Sequence, residues 1–596
     1  MASVADPFQS IGSLACLGLS FALKTAEHRL AGYMGSWPMC PTCADNYACL
    51  AALAWSHVPP AMTTRLFLIA FALTFSQDLR AELKLPAIIG DQMVLQQKQA
   101  NPIWGWDTPG TNVSVSFADQ TKSAEAGTNG KWTVKLDPLP ANAEPQTMTV
   151  KGTSTKEVRD ILIGEVWMCS GQSNMQFSLT VNWFGNGEIG DWNGDLEALG
   201  ADIPDLRLIS VSAAGTQELQ DDFKGAWKSC TPETCKGFSA VGFFFGRYLH
   251  RILGVPVGLI NNAWAGSAAE AWIRRDTLKK DPRFDRLMED TRQHEAQIQA
   301  EVAKPDYAVQ LAEWKAKVEA LKQAGLKPGQ KYPPQPAAPD QWLKGPGRPG
   351  NIFASVLNPT LGYGMKGVIW YQGESNAERA WEYRQLFPFL IEQWRKEWQQ
   401  GDFPFYWVQL ANYLPKKPQP GDSAWAELRE SQTQTEKLPN TGQAVIIDLG
   451  EGNHIHPNNK HDVAARLVRL ALAKDYGVKV PCHSPEYESV LITGSKATIT
   501  LEMFGSTLRR CDVDEAIGFA VCGEDKVWHW AKGTVLHGGD KVVVQSDQVS
   551  KPIAVRYAWA DNPVCNLYSK EGLAVTPFRT DDFEMITAPK PPASTR

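Results

Sequence analysis

The sequence predicts an α/β protein built on a parallel, doubly wound sheet, and three observations support this fold class. Apolar runs typical of strands alternate with helix-like segments from about residue 160 to 477, as in such sheets. Each run is apolar enough to be buried on both faces, which a parallel sheet requires. Polar, Gly-containing signals come at or just after the ends of the runs, where open α/β sheets bind ligands.

The elements of this sheet follow in chain order. Five strands are expected, at residues 161–168, 255–261, 366–371, 405–410 and 444–449. Two helices show apolar residues at helical spacing: Phe387, Leu390, Ile391, Trp394 and Trp398 in one, and Val463, Leu467, Leu470 and Ala471 in the other. The second helix is expected to begin near Asn459 and to end at Gly477, and both read as ordinary core helices.

Two β-rich regions flank the α/β domain, which is expected over residues 157–480. Short alternating runs separated by Gly, Asn and Pro turns predict a β-sandwich-like domain over 82–156, with strands at 113–117 and 132–136. The same texture predicts a second β domain over 481–586, with strands at 497–501, 541–544 and 553–557. Residues 587–596 are expected to be a disordered tail.

An insertion interrupts the α/β domain at residues 282–348. It is charged and helical up to about residue 324, and then rich in Pro, Lys and Gly. It could form an edge of the substrate cleft, but we favour a solvated surface segment.

The first 81 residues read differently from the rest. Met62 and the charged residues after it precede an apolar stretch at 66–75, which matches a secretory signal peptide and is too short to span a membrane. We therefore expect translation to start at Met62, residues 1–61 to be a mis-assigned extension without a fold, and 62–81 to be a signal peptide cleaved near Ala81. The mature protein is then expected to be secreted or periplasmic, with an anchored protein as the alternative.

Cysteine usage and charge exclude some classes of function. The leader carries Cys40, Cys43 and Cys49 without a second pair, so no metal cluster is expected there. Seven cysteines follow; Cys230 and Cys235 are the closest candidates for a disulfide, and Cys169 reads as a small core residue. The net charge of −6 lacks the basic footprint of a nucleic-acid-binding protein. The 22 tryptophans and 14 tyrosines weakly support a sugar-handling surface.

A serine after the first strand and a distant histidine are the minimum apparatus of a serine esterase. Gly171-Gln172-Ser173-Asn174 follows the apolar run at 161–168, and His456-Pro457 lies far downstream. A serine hydroxyl needs an imidazole within hydrogen-bond reach and donors for the oxyanion that forms. Gly171 permits a tight turn, and a helix beginning after it favours negative charge. Met175 stands where the lipase-type elbow requires glycine, so the motif is of another kind.

Three separated blocks resemble the sialate O-acetylesterase family of SGNH (GDSL-like) hydrolases. They lie at 164–175, 370–377 and 455–457, in the right order, and the likeness extends from about residue 83 to 583, including Trp559-Ala560-Asp561-Asn562-Pro563. The resemblance implies an SGNH-type sheet and an esterase that removes O-acetyl groups from sugars without a metal or organic cofactor. A fold-level analogy alone does not establish that activity, so the residues must carry it.

The same resemblance implies that Ser173 is the nucleophile and His456 the general base. The wider superfamily orients this histidine through Asp-x-x-His, but here Asn453 stands in the aspartate position. Three solutions stay open: Asn453 orients the imidazole by a neutral hydrogen bond, Asp448 or Glu451 reaches it from the preceding loop, or the site works as a dyad.

His454 and His456 form a His-x-His pair, which can also bind a metal. No acidic residue or cysteine nearby completes a ligand set, so no metal is expected.

The oxyanion hole follows from the resemblance. It implies three donors: the N–H of Ser173, the N–H of Gly266 and the carboxamide of Gln372, with Asn376 as an alternative to Gln372. Losing one such donor typically costs about 2.7 to 4 kcal/mol in the transition state.

Glu374 reads as a supporting residue. It is expected to be a buried carboxylate that orients Gln172 or Asn174 by a hydrogen bond, and not a catalytic acid.

Hypotheses from two classes follow. The first is an exported carbohydrate O-acetylesterase, acting on acetylated sialic acid or on acetylated plant or algal polysaccharide. The second is a catalytically weak carbohydrate-binding protein, motivated by the missing aspartate and by the two β domains. The partner expected for the esterase is its substrate, an O-acetylated sugar or polysaccharide.

Overall fold

A computed structural model of the chain describes residues 82–589, except 181, 185–186, 303, 305 and 327–331. The expected extension at 1–61 and the signal peptide at 62–81 lie outside these residues, and so do Cys40, Cys43 and Cys49. The tail from 590 onward also lies outside them.

The N-terminal part is made of seven strands, because apolar and polar residues alternate along short runs between turns. They are β1 Val94–Gln96, β2 Asn101–Trp106, β3 Asn112–Phe117, β4 Gln120–Glu125, β5 Lys131–Leu136, β6 Asn142–Lys151 and β7 Thr155–Gly171. One sheet has the antiparallel order β4-β3-β6-β7, and β2 pairs with β5 in a second sheet. Alternate residues of β3 and β5 are buried in one shared core. The predicted strands at 113–117 and 132–136 are confirmed.

Strand β7 belongs to two sheets. Its first residues, from Thr155 to Ile163, pair with β6 in the N-terminal sheet. Its last residues pair in parallel with the central strands, Glu165 to Cys169 on one side and Trp167 to Gly171 on the other. The expected domain boundary between residues 156 and 157 therefore lies inside one continuous strand of 17 residues.

The central part contains the remaining strands of the parallel sheet, three short antiparallel strands and the helices that cover the sheet. Its strands are β8 Asn182–Phe184, β9 Gly187–Ile189, β10 Ile203–Ser210, β11 Lys228–Cys230, β12 Val257–Asn261, β13 Gly367–Tyr371, β14 Phe405–Val408 and β15 Thr441–Ala444. Its helices are α1 Ser173–Gln176, α2 Gly194–Leu199, α3 Pro232–Lys236, α4 Ala240–Leu253, α5 Arg275–Lys280, α6 Asp285–Val302, α7 Asp306–Ala324, α8 Ala380–Trp398, α9 Ala424–Gln434 and α10 Lys460–Asp475.

Six strands of the central sheet run parallel, in the order β10-β12-β7-β13-β14-β15, and β11 closes one edge in antiparallel orientation. Successive residues of a strand point to opposite faces of the sheet. Since both sets are apolar here, helices pack on both faces. Ile369 and Tyr371 share a buried cluster with α4 and α10. Val368 and Trp370 share another with α8. The predicted α/β fold with a doubly wound parallel sheet is confirmed at this level.

Four of the five predicted central strands coincide with observed ones, and the fifth is wrong. The run at 444–449 was expected to be a strand, whereas the observed strand β15 is Thr441–Ala444. The apolar side chains of Val445 and Ile447 are buried instead in the core of the C-terminal sheet. Their hydrophobicity reflects packing between two parts of the molecule, and not membership of the central sheet.

The insertion is helical as predicted, up to the end of α7 at Ala324. None of the residues of α7 is buried. Residues 332–339 that follow carry no regular secondary structure.

The C-terminal part is built from β strands. They are β16 Glu486–Thr493, β17 Lys496–Glu502, β18 Leu508–Arg510, β19 Ala516–Cys522, β20 Trp528–Val535, β21 Lys541–Gln545, β22 Ala554–Tyr557, β23 Leu567–Ser569 and β24 Phe578–Arg579. Seven of them form a sheet in the order β16-β17-β21-β20-β19-β22-β24, and β18 pairs with β23. The strands predicted at 497–501, 541–544 and 553–557 are confirmed. Thr587, expected in a disordered tail, instead donates its hydroxyl to Glu427 Oε2 at 2.6 Å.

All seven cysteines of the described residues are free thiols, including the candidate pair Cys230 and Cys235. Cys169 is fully buried as predicted, and its burial raises the pKa of the thiol. Within residues 82–589 as described, no helix is both long and apolar enough to cross a membrane.

Candidate active site

The chain makes a sharp turn between the end of β7 and the start of α1. Gly171 has φ +131°, a backbone conformation that residues with a side chain rarely adopt. A Cβ atom at this position would lie 2.1 Å from the carbonyl oxygen of Tyr371 on the neighbouring strand. Glycine is therefore required here, and the turn brings Ser173 to the carboxyl edge of the sheet. β7 lies between β12 and β13, where the direction of chain progression reverses, which is the usual ligand position in such sheets.

The structure brings Ser173 and His456 together. Ser173 Oγ lies 3.0 Å from His456 Nε2, a hydrogen-bonding distance. His456 lies on the loop between β15 and α10, far from Ser173 in sequence. The ring of Phe177, one turn after the serine, packs edge-on against the imidazole with centroids 4.6 Å apart. This contact restrains the orientation of the imidazole ring next to the Ser173 hydroxyl.

The surroundings of His456 favour its neutral form. Burial lowers the pKa of His456 to about 4, and the nearby charges of Lys460 and His454 act in the same direction. The imidazole can therefore accept a proton from Ser173 at any pH well above 4.

The carboxylate that the sequence suggested for orienting His456 is engaged elsewhere. Asp448 forms a two-point ion pair with Arg466, at 2.6 and 2.7 Å. Glu451 Oε1 accepts hydrogen bonds from the backbone and side chain of Asn458. The expectation that Asp448 orients the imidazole is corrected by the first of these contacts.

Asn453 does not contact His456 either. Its side chain is exposed, and the described residues offer no hydrogen bond between it and the imidazole. Across residues 82–589 as described, no acceptor lies within hydrogen-bond distance of His456 Nδ1. Of the three arrangements left open by the sequence, the observed geometry is that of a dyad.

His454 forms a local turn with His456. Its Nδ1 lies 3.2 Å from the backbone nitrogen of His456 and 2.8 Å from the carbonyl oxygen of the same residue. The part of the chain that the structure describes contains no group of three or more His, Cys, Asp or Glu side chains suited to a metal ion.

Two of the three expected oxyanion donors are backbone N–H groups that donate no hydrogen bond to the described residues. Among the described residues, neither Ser173 N–H nor Gly266 N–H has an acceptor. The loop that carries Gly266 is held against the serine turn by two hydrogen bonds, from Trp264 N to Gly171 O at 2.9 Å and from Ala265 N to Gln176 Oε1 at 2.7 Å.

Gln372 has a different position from the one expected. It is fully buried, and its amide nitrogen donates to Ser267 O at 3.1 Å and to Asn376 Oδ1 at 2.7 Å. Asn376 in turn donates to Glu270 Oε2 at 3.0 Å. Both carboxamides are therefore committed to holding the 267–270 segment in place, and the assignment of Gln372 as an oxyanion donor is corrected on this ground.

The supporting residues connect the serine turn to the strands beside it. Gln172 Oε1 accepts from the backbone nitrogens of Gly373 and Ser375, both at 3.3 Å. Asn174 Nδ2 donates to Glu374 Oε1 at 2.6 Å. Glu374 is deeply enclosed, and this burial raises the pKa of its carboxyl.

Sequence reasoning missed two residues beside the site. Lys460, the first residue of α10, is fully buried and donates to Asn174 Oδ1 at 2.6 Å. Asp191 accepts from the backbone nitrogens of Lys460 and His461, and so caps α10. Lysine is usually exposed, so only its spacing of four residues from His456 could have drawn attention to it.

The C-terminal part contacts the loop that carries His456. Asn412 Oδ1 accepts from Gly450 N at 2.7 Å, and Asn412 Nδ2 donates to Asn562 Oδ1 at 3.0 Å. Asn562 belongs to the Trp559–Pro563 block of the sequence and also donates to Leu414 O at 2.7 Å. This block therefore contributes to the position of the histidine loop.

Comparisons with known proteins agree with this geometry. Residues 340–473 match the family model described as carbohydrate esterase, sialic acid-specific acetylesterase. The chain is 30% identical to the sialate O-acetylesterase of Rattus norvegicus, over 66% of this chain and 74% of that protein. It is 28% identical to the sialate O-acetylesterase of Mus musculus, over 83% of this chain and 93% of that protein.

A solved structure is similar over the same region. The crystal structure of a carbohydrate acetylesterase from Xanthomonas citri superposes with a TM-score of 0.69 and 33% sequence identity, covering 84% of this chain and all (100%) of that chain. These relatives indicate a carboxylic ester hydrolase acting on acetylated carbohydrate, and they do not favour a catalytically weak binding protein. The chain belongs to the sialate O-acetylesterase family of carbohydrate esterases.

Proposed function

We propose that this protein is an SGNH-type serine esterase that releases acetate from O-acetylated sialic acids through an acetyl-enzyme on Ser173. The observation that carries the proposal is the 3.0 Å contact between Ser173 Oγ and His456 Nε2. Sialic acid as the sugar is supported by the names of the relatives in rat and mouse.

In the first half-reaction, His456 Nε2 takes the hydroxyl proton while Ser173 Oγ attacks the acetyl carbonyl carbon. The N–H groups of Ser173 and Gly266 are the donors for the negative charge that develops on the carbonyl oxygen. The bond to the sugar oxygen then breaks, and the sugar hydroxyl leaves with the proton from His456. The acetyl group stays on Ser173.

In the second half-reaction, water takes the place of the sugar hydroxyl. His456 Nε2 accepts a proton from the water as its oxygen attacks the acetyl carbon. The tetrahedral intermediate collapses with return of the proton to Ser173 Oγ, and acetate is released.

Export of the protein is part of the proposal. The charged and apolar pattern at 62–75 supports a secreted or periplasmic enzyme that begins near residue 82. N-terminal sequencing of the exported protein tests this, and an intact residue 1 contradicts it.

The catalytic assignment is tested by acetate release from 9-O-acetylated sialic acid and from 4-nitrophenyl acetate. Ser173→Ala and His456→Ala are each expected to lose activity more than about a thousandfold, because the nucleophile and its base act as a unit. Asn453→Ala is the matched control, since Asn453 is exposed and does not contact His456. It is expected to retain activity.

Two outcomes would contradict different parts of the proposal. If the Ser173→Ala variant keeps its activity, the acetyl-enzyme on Ser173 is ruled out. If the enzyme hydrolyses 4-nitrophenyl acetate but not the acetylated sialic acid, the esterase activity stands and the assignment of sialic acid as the sugar is wrong. Acetylated polysaccharides are then the substrates to test.

A further inference from the structure

Lys460 is a buried cation beside the Ser173–His456 pair, and the reaction described above gives it no role. Its side chain is fully buried. Its ammonium donates to Asn174 Oδ1 at 2.6 Å and lies 5.7 Å from the centre of the Tyr371 ring. Within the described residues, no carboxylate lies within ion-pair distance of it. A buried ammonium without a direct ion pair is costly, so the site must compensate in another way.

The compensation comes through Asn174. Its amide oxygen accepts from Lys460, while its amide nitrogen donates to Glu374 Oε1 at 2.6 Å. Only the oxygen of a carboxamide accepts and only its nitrogen donates, so the cation and the carboxylate together fix which way the amide points. Asn174 is thus held between the amine of Lys460 and the carboxyl group of Glu374.

The same amide supports both reacting side chains. Asn174 Nδ2 also donates to Ile455 O at 3.1 Å, and Ile455 immediately precedes His456. On the other side, Asn174 immediately follows Ser173 in α1. A single carboxamide therefore bridges the nucleophile turn and the histidine loop, and Lys460 locks its orientation.

We propose that Lys460 is a positioning residue for this pair, which fixes Asn174 by its hydrogen bond and keeps His456 in its neutral form by its positive charge. In a serine–histidine–aspartate triad, a carboxylate at Nδ1 orients the imidazole. Here the imidazole is held through Asn174 and Ile455. This inference rests on the proposed function, because it assumes that His456 is the base.

The charges around the cluster agree with this role. Besides its burial, Lys460 is a cause of the lowered pKa of His456, together with His454. Burial also lowers the pKa of Lys460 to about 7, against the opposing effect of the carboxylates of Glu374, Asp191 and Glu451. Below about pH 7 the ammonium is therefore charged in most molecules, and it repels a proton on His456.

Two substitutions separate the charge of Lys460 from its hydrogen bond. Lys460→Gln removes the charge and keeps a donor, whereas Lys460→Met removes both. Lys460→Arg keeps the charge. Lys474→Met is the matched control, because Lys474 lies on the same helix and donates instead to Thr441 O at 2.5 Å.

The readout is kcat/KM for 4-nitrophenyl acetate as a function of pH, with thermal unfolding of each variant alongside. In Lys460→Gln and Lys460→Met, the pKa of His456 is expected to rise, so the acid limb moves up by about one pH unit and kcat/KM at pH 4 falls about fivefold relative to wild type. Lys460→Met is expected also to lower kcat at pH 7, because Asn174 is no longer fixed. Lys460→Arg and Lys474→Met are expected to leave the acid limb in place.

An acid limb that stays at its wild-type position in folded Lys460→Gln and Lys460→Met overturns the inference. If the Lys460 variants do not fold, the Asn174→Ala variant decides, because it removes the bridging amide and leaves Lys460 in place. A lower kcat with an unmoved acid limb supports the bridge. An unchanged kcat overturns it. Failure of the proposed function would look different from failure of this inference, because the Ser173→Ala variant would then keep its activity.

Discussion

The two ring nitrogens of His456 have different surroundings, and this difference sets the chemistry of the residue. Nε2 faces Ser173 Oγ at 3.0 Å, while no acceptor among the described residues lies near Nδ1. A carboxylate at Nδ1 would stabilise the imidazolium and raise its pKa. Without it, burial and nearby positive charge dominate, and the imidazole stays mostly neutral until the pH falls toward 4.

We expect the wild-type enzyme to keep most of its activity at pH 5. The pKa of His456 is lowered to about 4, so protonation of the base begins only as the pH falls toward 4, and kcat/KM declines below that point. The measurement is kcat/KM for 4-nitrophenyl acetate between pH 3.5 and 7. An acid limb near the ordinary histidine pKa of about 6.5 would contradict this assignment.

Gly171→Ala is expected to destabilise the protein and to abolish acetate release. The new Cβ would meet Tyr371 O at 2.1 Å in a backbone conformation of φ +131°, so the strand end must shift, at a cost on the order of 1–3 kcal/mol. The control is Gly200→Ala, where the nearest atom to the Cβ is 3.9 Å away and φ is −91°. Thermal unfolding and activity of both variants check this. Equal stability of the two would contradict the strain argument.

At the level of residues, Ser173 and His456 can be found from the sequence, because each lies in a short block of uncommon residues that resembles the family and the blocks come in the family's order. They do not identify Lys460, since a lysine at the start of a helix is usually solvated. They also mislead at Gln372, because a conspicuous glutamine after a strand can equally be a buried link between loops. Only the three-dimensional contacts distinguish these cases.

Elements show the same limit of sequence reasoning. The run at 444–449 is apolar enough for a buried strand, yet only Ala444 belongs to β15. The strand itself, Thr441–Ala444, has a weak strand signal and is held by its pairing with β14. A sequence shows that a segment is buried, but not which of two cores it enters.

The link from the C-terminal block to the histidine loop leads to a prediction at this scale. Asn562→Ala removes the acceptor for Asn412, which itself holds Gly450. Of the two hydrogen bonds that the Asn562 side chain makes, the one with Asn412 leads to the histidine loop. Since such a bond is worth about 1 kcal/mol, kcat is expected to fall about fivefold with KM unchanged. Steady-state kinetics on 4-nitrophenyl acetate measure this.

The control for that variant is Lys570→Ala, an exposed position in the same part of the chain. It is expected to match wild type. A drop in kcat that merely follows a lower unfolding temperature in Asn562→Ala would mean that Asn562 stabilises the fold without positioning the loop.

Over the whole molecule, sequence composition predicts the three-part organisation, because alternating β texture and the α/β pattern occupy separate stretches. It does not show how these parts meet. Glu436, just after α9, and Glu486, at the start of β16, are both half-buried. Burial raises the pKa of each carboxyl, and the charge of Glu486 raises the pKa of Glu436 further. The contact between the central and C-terminal parts therefore contains two half-buried acids whose pKa values are raised.

Glu436→Gln is expected to make the protein more stable at about pH 8. A carboxyl whose pKa is raised in the folded state contributes stability at low pH and loses it as the pH rises through the folded pKa. Burial, followed by the charge of Glu486, raises the pKa of Glu436 well above its ordinary value. Wild type should thus lose stability from about pH 5 to 8 relative to the variant.

Thermal unfolding of both proteins across that range checks the sign. The difference in unfolding temperature should grow with pH. The exposed Glu524→Gln serves as the control, and a difference that shrinks as the pH rises would contradict the raised pKa of Glu436.

Strand β7 also limits how this protein can be recombined with its relatives. Its 17 residues run through both sheets, with an irregularity at Asp160, where φ is +57°, and the nucleophile turn follows directly at its end. A chimera with a crossover near residue 156 would join the first residues of β7 from one parent to the rest of the strand from another. A register slip of one residue would then turn every side chain before the nucleophile turn to the opposite face. The N-terminal β strands are thus not an exchangeable cassette, and libraries built from this family should inherit residues 82–171 as a single block.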